Sequence, residues 1–181
     1  LDPADAQLSC SVQRLGYRFV ECATDFDLRP DEPPIPRPPG IDARLGTPAD
    51  FEALTEMVES LAPWSRYAVD PRFGLEASRR LQRAWAQRAL ADPAGAFQLV
   101  LAEDATGVIA FITRTIHPTP HLDGMGTSAP GSGAARYLVQ DSRTWAGEHP
   151  LVLASVAARN IRALRWAGHC NFRVRQVRYR Y

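Results

Sequence analysis

One short segment limits what this chain can fold into more than any other feature. Residues 29–40 read RPDEPPIPRPPG and hold six prolines in twelve positions. Proline fixes φ at about −65° and lacks a backbone N–H, so this run cannot lie inside a helix or a central strand. It is typical of an extended, semi-rigid connection. We therefore predict a truncated N-terminal domain over residues 1–28, a proline-rich linker over residues 29–40 and a main domain over residues 41–181.

The segment before the linker has the pattern of a helix followed by a strand. The helix is predicted to end near Leu15-Gly16, and the residues after it alternate in polarity as a half-buried strand does; the alternating set is Val20, Cys22, Thr24, Phe26 and Leu28. LGYRFV at residues 15–20 and CNFRVR at residues 170–175 both follow a predicted helix and begin a strand. This repeat indicates either a shared origin of the two halves or a chance similarity.

The main domain changes from mostly helical to alternating elements along its length. A helix begins at the capping sequence TPAD, where Thr47 is the N-cap and Pro48 the first helical residue. The later elements follow in chain order: a helix over about 75–90, a hairpin over 97–115, a strand, a glycine turn, a helix over about 133–145, the strand LVLASV, a helix over 159–169 and a final strand with a β-bulge near Arg175-Gln176. We predict an α/β (α+β) fold with a mixed central sheet flanked by helices.

Composition excludes several classes of function. The formal net charge is +1 over 181 residues, so no nucleic-acid partner is predicted. No apolar run approaches the roughly 20 residues of a membrane span, so no membrane association is expected. The three cysteines have neither C-x-x-C spacing nor a histidine cluster, which favours a cytoplasmic location and no metal site. Cys170 is interpreted as a small core residue, with a nucleophilic role as the alternative.

A glycine turn and the helix after it form a candidate ligand site. The turn SAPGSG, residues 128–133, lies between a predicted strand and a predicted helix. Backbone N–H groups at a helix N-terminus bind anions such as a pyrophosphate, although PGSG is also ordinary turn chemistry. In the later helix, helical spacing places the small set Asn160, Ala163 and Ala167 on one face beside a ligand channel, and predicts that Ile161, Leu164 and Gly168 are core residues. Asn160 is either a ligand-binding amide or a helix cap.

The motifs in these two regions resemble those of the GNAT superfamily of acyl-CoA N-acyltransferases. The helix NIRALRWAGHCNF is similar to the family pattern N-x-x-A-x-x-L-Y-x-x-x-G-F. Asn160, Ala163 and Phe172 match it, and the departures are Trp166, Ala167 and Asn171. The family's turn pattern is R/Q-x-x-G-x-G/A. Gly131 and Gly133 match this pattern, whereas Ser128 stands where arginine or glutamine is expected.

A closer resemblance covers nearly the whole chain. LGYRFVE and SRYAVDPRFGLEASRRLQRAWAQRAL are similar to the GNATs that acetylate dTDP-4-amino-4,6-dideoxygalactose, which carry a truncated N-terminal domain before the GNAT domain. The residues that carry this likeness are Ser65, Arg66, Asp70, Pro71, Arg72 and Phe73. The resemblance implies transfer of an acetyl or short acyl group from acetyl-CoA, or another pantetheine thioester, to an amine. It implies an amino sugar or a natural-product intermediate as the acceptor.

The resemblance also implies a set of site residues. The donor is expected to contact the strand and turn residues and the later helix, namely Asp123, Gly124, Met125, Ser128, Gly131, Ser132, Gly133, Ala134, Asn160 and Ala163. His121 and then Asp123 are the first candidates for the general base. Arg66, Arg72 and His117 are the candidates for binding the acceptor.

The position that usually carries the catalytic tyrosine holds Ala167. The tyrosine protonates the departing thiolate, but a thiol with a pKa of about 8.5 leaves tolerably without help, so the loss slows the reaction without preventing it. Tyr137, His121 or a water is the alternative proton donor. Together Ser128 and Ala167 leave two other hypotheses open: an acyl-carrier-protein donor, or a non-catalytic module that binds pantetheine or a partner. A homodimer through an edge strand is a further expectation.

Overall fold

A computed structural model describes residues 1–116 and 118–181. Over these residues the chain forms seven strands and six α-helices. The helices are α1 (Ala6–Arg14), α2 (Phe51–Glu59), α3 (Arg66–Val69), α4 (Gly74–Ala91), α5 (Ala134–Ala146) and α6 (Ile161–His169). The strands are β1 (Glu21–Leu28), β2 (Asp42–Leu45), β3 (Phe97–Asp104), β4 (Gly107–Thr115), β5 (His121–Thr127), β6 (Leu151–Ala157) and β7 (Arg173–Arg180).

The strands form one mixed sheet with the order β2-β3-β4-β5-β6-β1-β7. Only β5 and β6 pair in parallel, and the other neighbouring pairs are antiparallel. Alternate residues of a strand face opposite sides of a sheet. Val100 and Ile112 pack in the core that includes α5, whereas Leu101 and Phe111 pack in the core that includes α2 and α4. The predicted fold class, a mixed sheet flanked by helices, is therefore confirmed.

Most predicted elements are present, and two short ones were missed. The hairpin β3–β4 is confirmed, and so is the bulge in β7, because Asp25 faces Gln176 while Phe26 faces Val174 and Arg175 is left over. Strand β2 and helix α3 were not predicted. Each has only four residues, which is too short for a hydrophobic period to appear.

The strand of the N-terminal segment lies inside the sheet. Strand β1 pairs antiparallel with β6 on one side and with β7 on the other. Because β1 separates β6 from β7, the sheet around the last two strands depends on the N-terminal segment. The division into domains at residues 28 and 41 stays a prediction.

The proline-rich linker packs along helix α5. The backbone N–H of Ile35 donates to the side-chain oxygen of Gln140 at 2.9 Å, and Arg143 donates to the backbone carbonyls of residues 30, 32 and 33. At the other end of α5, the ring of Pro38 lies 3.0 Å from where a Cβ on Gly133 would be. The linker is therefore an extended segment, as its prolines dictate, that reaches the glycine turn.

A buried carboxylate joins three of the strands. Asp25 in β1 is 4% exposed, and its oxygens accept hydrogen bonds from the Ser155 backbone N–H at 2.7 Å, from Gln176 Nε2 at 2.8 Å and from the Arg178 guanidinium. Burial alone would raise the pKa of Asp25, but the hydrogen bonds from Arg178, Gln176 and Ser155 outweigh it and the pKa is lowered. Asp25 is therefore an ionised group that stabilises the fold.

This network fixes a bulge in β6. Thr24 faces Val156 and Phe26 faces Leu153, so β6 has one residue more than β1 over this stretch. The extra residue of β6 is accommodated at Ser155, whose φ is 63°. A positive φ is uncommon for a residue with a side chain. The hydrogen bond from the Ser155 N–H to Asp25 holds it in this conformation.

Asp25→Ala is expected to lower the free energy of unfolding by about 1–3 kcal/mol, because the donors of Ser155, Gln176 and the partly exposed Arg178 lose their buried acceptor. Because the folded pKa lies below the unfolded one, the wild-type contribution is complete above the unfolded pKa and is lost as the pH falls through the folded pKa. Urea unfolding between pH 3 and pH 7 measures both effects. Asp27→Ala, two residues along the same strand and partly exposed, is the control, and an equal loss in both variants would contradict the role of Asp25.

Candidate active site

A cavity of about 660 Å³ opens where strands β5 and β6 separate. Within the described part of the chain, the two strands pair only at His121–Val152 and Leu122–Leu153. Beyond these pairs, residues of both strands line the cavity, with β5 contributing Asp123 to Met125 and β6 contributing Leu153 to Ala157. The space thus lies between two strands that a regular sheet would hydrogen-bond to each other.

The β5 wall carries a bulge at a predicted catalytic residue. Thr113 faces Gly124 and Arg114 faces Leu122, so Asp123 is an extra residue on β5. The extra residue of a bulge is left out of the ladder, so the backbone here is available to a ligand. The bulge is packed tightly, because a Cβ on Gly124 would lie 3.2 Å from Leu61 Cδ1 and 3.3 Å from Thr113 Oγ1.

His121 and Asp123 lie together in this wall. His121 Nε2 is 3.7 Å from Asp123 Oδ1, and His121 Nδ1 is 2.7 Å from the carbonyl oxygen of Thr119. Because a carbonyl oxygen only accepts, Nδ1 carries a proton and Nε2 is the nitrogen beside the carboxylate. Although the Asp123 side chain is 39% exposed, the partial burial of its carboxyl group raises its pKa, and the charge of His121 partly offsets this. The pair can therefore hold or accept one proton.

Helix α6 forms a second wall, and its faces differ from those predicted. Asn160, Ala163 and Trp166 line the cavity, whereas Ala167 is 0% exposed in the core. Of the three residues predicted as core, Leu164 packs against it but Ile161 and Gly168 are exposed. The prediction for Ile161, Gly168 and Ala167 was therefore wrong. The orientation of α6 about its own axis places Trp166 at the cavity and Ala167 in the core.

The polar atoms of α6 have different uses. Asn160 Oδ1 accepts from the Ala163 backbone N–H at 3.1 Å, so Asn160 caps the helix, and its amide nitrogen remains for a ligand. Trp166 Nε1 is buried and has no hydrogen-bond partner among the described residues. A buried donor of this kind normally has a partner, so Trp166 Nε1 is an unused donor in a residue that lines the cavity.

The glycine turn lies apart from the cavity wall. Gly131 and Gly133 have φ of 89° and 84°, which glycine adopts without strain. The hydroxyl of Ser132 accepts from the Ala134 N–H at 3.3 Å, whereas Ser128 bonds the Ile109 carbonyl through its N–H at 3.0 Å. The Ser128 amide is therefore engaged in the sheet. None of these five residues, Ser128, Gly131, Ser132, Gly133 and Ala134, is in the lining of the cavity over the described residues.

The predicted acceptor-binding residues separate in the structure. Arg66 lines the cavity, with its guanidinium carbon 4.9 Å from the centre of the Tyr67 ring. Arg72 is exposed and donates to Asp70, 2.6 Å away, outside the lining. His117 lies outside the described residues. The proposed substitute acid Tyr137 packs against the core beneath Arg37 and is not in the described lining.

Two groups of lining residues were not predicted from the sequence. The first is aromatic and belongs to α3, α4 and the turn before them: Trp64, Tyr67 and Trp85. The second is the ion pair of Glu21 in β1 and Arg180 in β7, with Arg180 Nη1 2.8 Å from Glu21 Oε1. Alternation along β1 identifies Glu21 as polar, but no local signal identifies a partner 159 positions away.

Three further observations concern Cys170, metal binding and membrane-spanning helices. Cys170 is fully buried in the core and burial raises the pKa of its thiol to about 12, so the interpretation as a core residue is confirmed. Over residues 1–116 and 118–181, no group of three or more His, Cys, Asp or Glu side chains is arranged to hold a metal ion. No helix in the same residues combines the length and apolar character needed to cross a bilayer.

Comparison with known proteins identifies the fold through structure alone. No family model and no curated protein matches the chain. It is similar to a GCN5-related N-acetyltransferase from Sphaerobacter thermophilus, with a TM-score of 0.61 and 19% identity over 99% of this chain and 56% of that one. A tandem GNAT protein from the clavulanic acid biosynthesis pathway has a TM-score of 0.58 and 12% identity, over 97% and 57% of the two chains.

A third similar structure contains coenzyme A. The PaiA N-acetyltransferase from Thermoplasma acidophilum, in complex with coenzyme A, has a TM-score of 0.55 and 14% identity over 71% of this chain and 87% of that one. The chain spans little more than half the length of the first two proteins. At these identities the likeness concerns the fold, and the chain has the fold of the GNAT N-acetyltransferases.

Proposed function

We propose that the protein is a GNAT-type N-acyltransferase that moves an acetyl or short acyl group from a pantetheine thioester, acetyl-CoA in the first place, to an amine. The observation that carries the proposal is the cavity between β5 and β6, whose wall combines the bulge at Asp123 with the His121–Asp123 pair. The GNAT-fold acetyltransferases that resemble the chain support the same general function.

In the proposed reaction the amine nitrogen attacks the thioester carbonyl carbon, a C–N bond forms, the C–S bond breaks and the thiolate departs, to be protonated by water. The chain supplies three things for this step. The backbone N–H groups of the Asp123–Met125 bulge stabilise the negative charge that develops on the carbonyl oxygen. The His121–Asp123 pair accepts the proton that the amine loses. The apolar residues of the lining, such as Leu61 and Phe111, exclude water.

The residues for the donor are divided between the cavity and the glycine turn. Asn160 Nδ2 and Trp166 Nε1 are available to bond the amide oxygens of a pantetheine arm, beside the small side chain of Ala163. The amides after Gly131 and Gly133 are the candidates for a pyrophosphate, as N–H groups at a helix N-terminus suit an anion. The buried position of Ala167 supports a reaction in which the thiolate leaves without a tyrosine acid.

For the acceptor we propose an amino sugar or a natural-product intermediate that carries an amine. The aromatic rings of Trp64, Tyr67 and Trp85 provide faces on which a sugar ring or a base packs. Arg66 and Arg88 line the same region and suit phosphate or carboxylate groups of the acceptor.

A donor attached to an acyl carrier protein is the second candidate. Pro38 crowds the glycine turn at Gly133, and the Ser128 N–H is bonded to Ile109, so a nucleotide has less room and fewer donors there. A pantetheine arm without a nucleotide would still reach the cavity.

We also propose that the protein forms a homodimer through β2 or β7, the edge strands of the sheet.

Isothermal titration distinguishes these donors. We expect acetyl-CoA to bind with micromolar affinity and at least tenfold more tightly than pantetheine, because the turn adds contacts to the pyrophosphate. Gly133→Asp, which places a negative charge and a Cβ against Pro38, should remove this advantage and leave pantetheine binding unchanged. Equal, weak binding of both ligands to the wild-type protein would favour the carrier-protein donor or a non-catalytic module.

Asp123→Asn is expected to lower kcat/KM by about 100- to 10,000-fold, the usual contribution of general base catalysis. A base acts when deprotonated, so wild-type activity should rise with pH through the Asp123 pKa, which burial moves above its ordinary value. The variant should lose that rise. Thiol release from acetyl-CoA, with an amine that supports turnover, measures the profile. Asp104→Asn, in the exposed hairpin turn, is the control; an unchanged profile in Asp123→Asn would rule out this base.

A further inference from the structure

Glu21 in β1 is a buried carboxylate with one oxygen unused. The residue is 6% exposed and lines the cavity. Its Oε1 accepts a hydrogen bond from Arg180 at 2.8 Å, whereas Oε2 is buried without a hydrogen-bond partner among residues 1–116 and 118–181. Burying a carboxylate oxygen without a hydrogen bond costs free energy. A ligand that donates a hydrogen bond to Oε2 would remove this cost.

The neighbours of Glu21 already have other partners. Arg180 bridges Glu21 and the hydroxyl of Ser155, and Ser155 is held through its N–H by Asp25. Glu21 is therefore fixed in place by the same network that shapes the β6 bulge. A ligand group that meets Oε2 must donate a hydrogen bond, since an ionised carboxylate only accepts.

The cavity combines this acceptor with features that suit a cation. In the described residues four buried side-chain atoms have no hydrogen-bond partner, and two of them, Glu21 Oε2 and Trp166 Nε1, belong to residues that line the cavity. The lining also contains Trp85, an aromatic ring that attracts ammonium groups, and Trp64 and Tyr67, which already have Arg159 and Arg66 over one ring face. An ammonium offers three N–H donors and a compensating charge, and a neutral hydroxyl offers one donor and no charge.

We propose that Glu21 is an acceptor-binding residue that selects a cationic amine, accepting a hydrogen bond from the ammonium through Oε2. The ligand is called the acceptor on the basis of the proposed acyltransferase function. On this proposal the N-terminal strand β1 supplies part of the binding site, and specificity for an amine over an alcohol depends on a residue that precedes the linker.

The test compares two probes of equal shape, 2-phenylethylamine and 2-phenylethanol, by isothermal titration at pH 7.5. The proteins are the wild type, Glu21→Gln, and Glu32→Gln as the matched control. Glu32 is a largely buried carboxylate that also pairs with an arginine of β7, Arg173, but lies outside the described lining. Glutamine keeps the shape of the side chain and can still accept from Arg180.

We expect the wild type and Glu32→Gln to bind the amine at least tenfold more tightly than the alcohol, as a charge-assisted hydrogen bond predicts. Glu21→Gln should lose this tenfold preference with no change for the alcohol. Glu21→Asp keeps the charge but shortens the side chain, and it should show the same loss. It is the variant to use if Glu21→Gln does not fold.

Two results would overturn the role of Glu21: no preference for the amine in the wild type, or a full preference in Glu21→Gln or in Glu21→Asp. Acetyl-CoA, titrated separately into the wild type, keeps the two proposals distinct. A protein that prefers the amine through Glu21 but binds no acetyl-CoA would contradict an acetyl-CoA-dependent acyltransferase and support the binding role of Glu21.

Discussion

The carboxylate of Asp25 is the interaction on which the rest of the structure depends. It lies in β1, and it holds β6 through the Ser155 amide and β7 through Gln176 and Arg178. Each of these bonds compensates for the burial of a charge. The hydrogen bond from the Ser155 N–H to Asp25 compensates for the positive φ of Ser155 at the bulge in the pairing of β6 with β1. The geometry of the cavity therefore rests on a residue of the N-terminal segment.

Two bulges, one on each side of the opening, give the site its chemical character. The bulge at Asp123 lies in the pairing of β5 with β4, and the bulge at Ser155 lies in the pairing of β6 with β1. Between them, backbone groups that a regular sheet would consume remain available to a ligand. Charged side chains from three strands then enter the same space: His121 and Asp123 from β5, Glu21 from β1 and Arg180 from β7.

Much of the fold could be predicted from the sequence because its signals are local. Short sequence patterns, each only a few residues long, predict the extended linker from its prolines, strand β1 from its alternation and the bulge in β7 from the change of register at Arg175. The motif around Asn160 led to the fold but misplaced Ala167, because the family pattern does not record how α6 is rotated against the sheet. Trp166 therefore reaches the cavity in place of the position expected to matter.

Other parts of the site could not be predicted because they arise from distant contacts. Glu21 and Arg180 lie at opposite ends of the chain and meet only because β1 inserts beside β7. The same holds for Asp25 and Ser155. Strand β2 was not predicted for a different reason: its four residues are too few to show an alternation of polar and apolar side chains.

A crystal structure of the protein with acetyl-CoA bound is the most direct test of the proposed acetyl-CoA-dependent function. We expect the thioester to lie in the opening between β5 and β6, with its carbonyl oxygen within hydrogen-bond distance of a backbone N–H in the Asp123–Met125 bulge, and with the pyrophosphate at the turn that contains Gly131 and Gly133. Acetyl-CoA bound elsewhere, or an empty cavity at a saturating concentration, would contradict it.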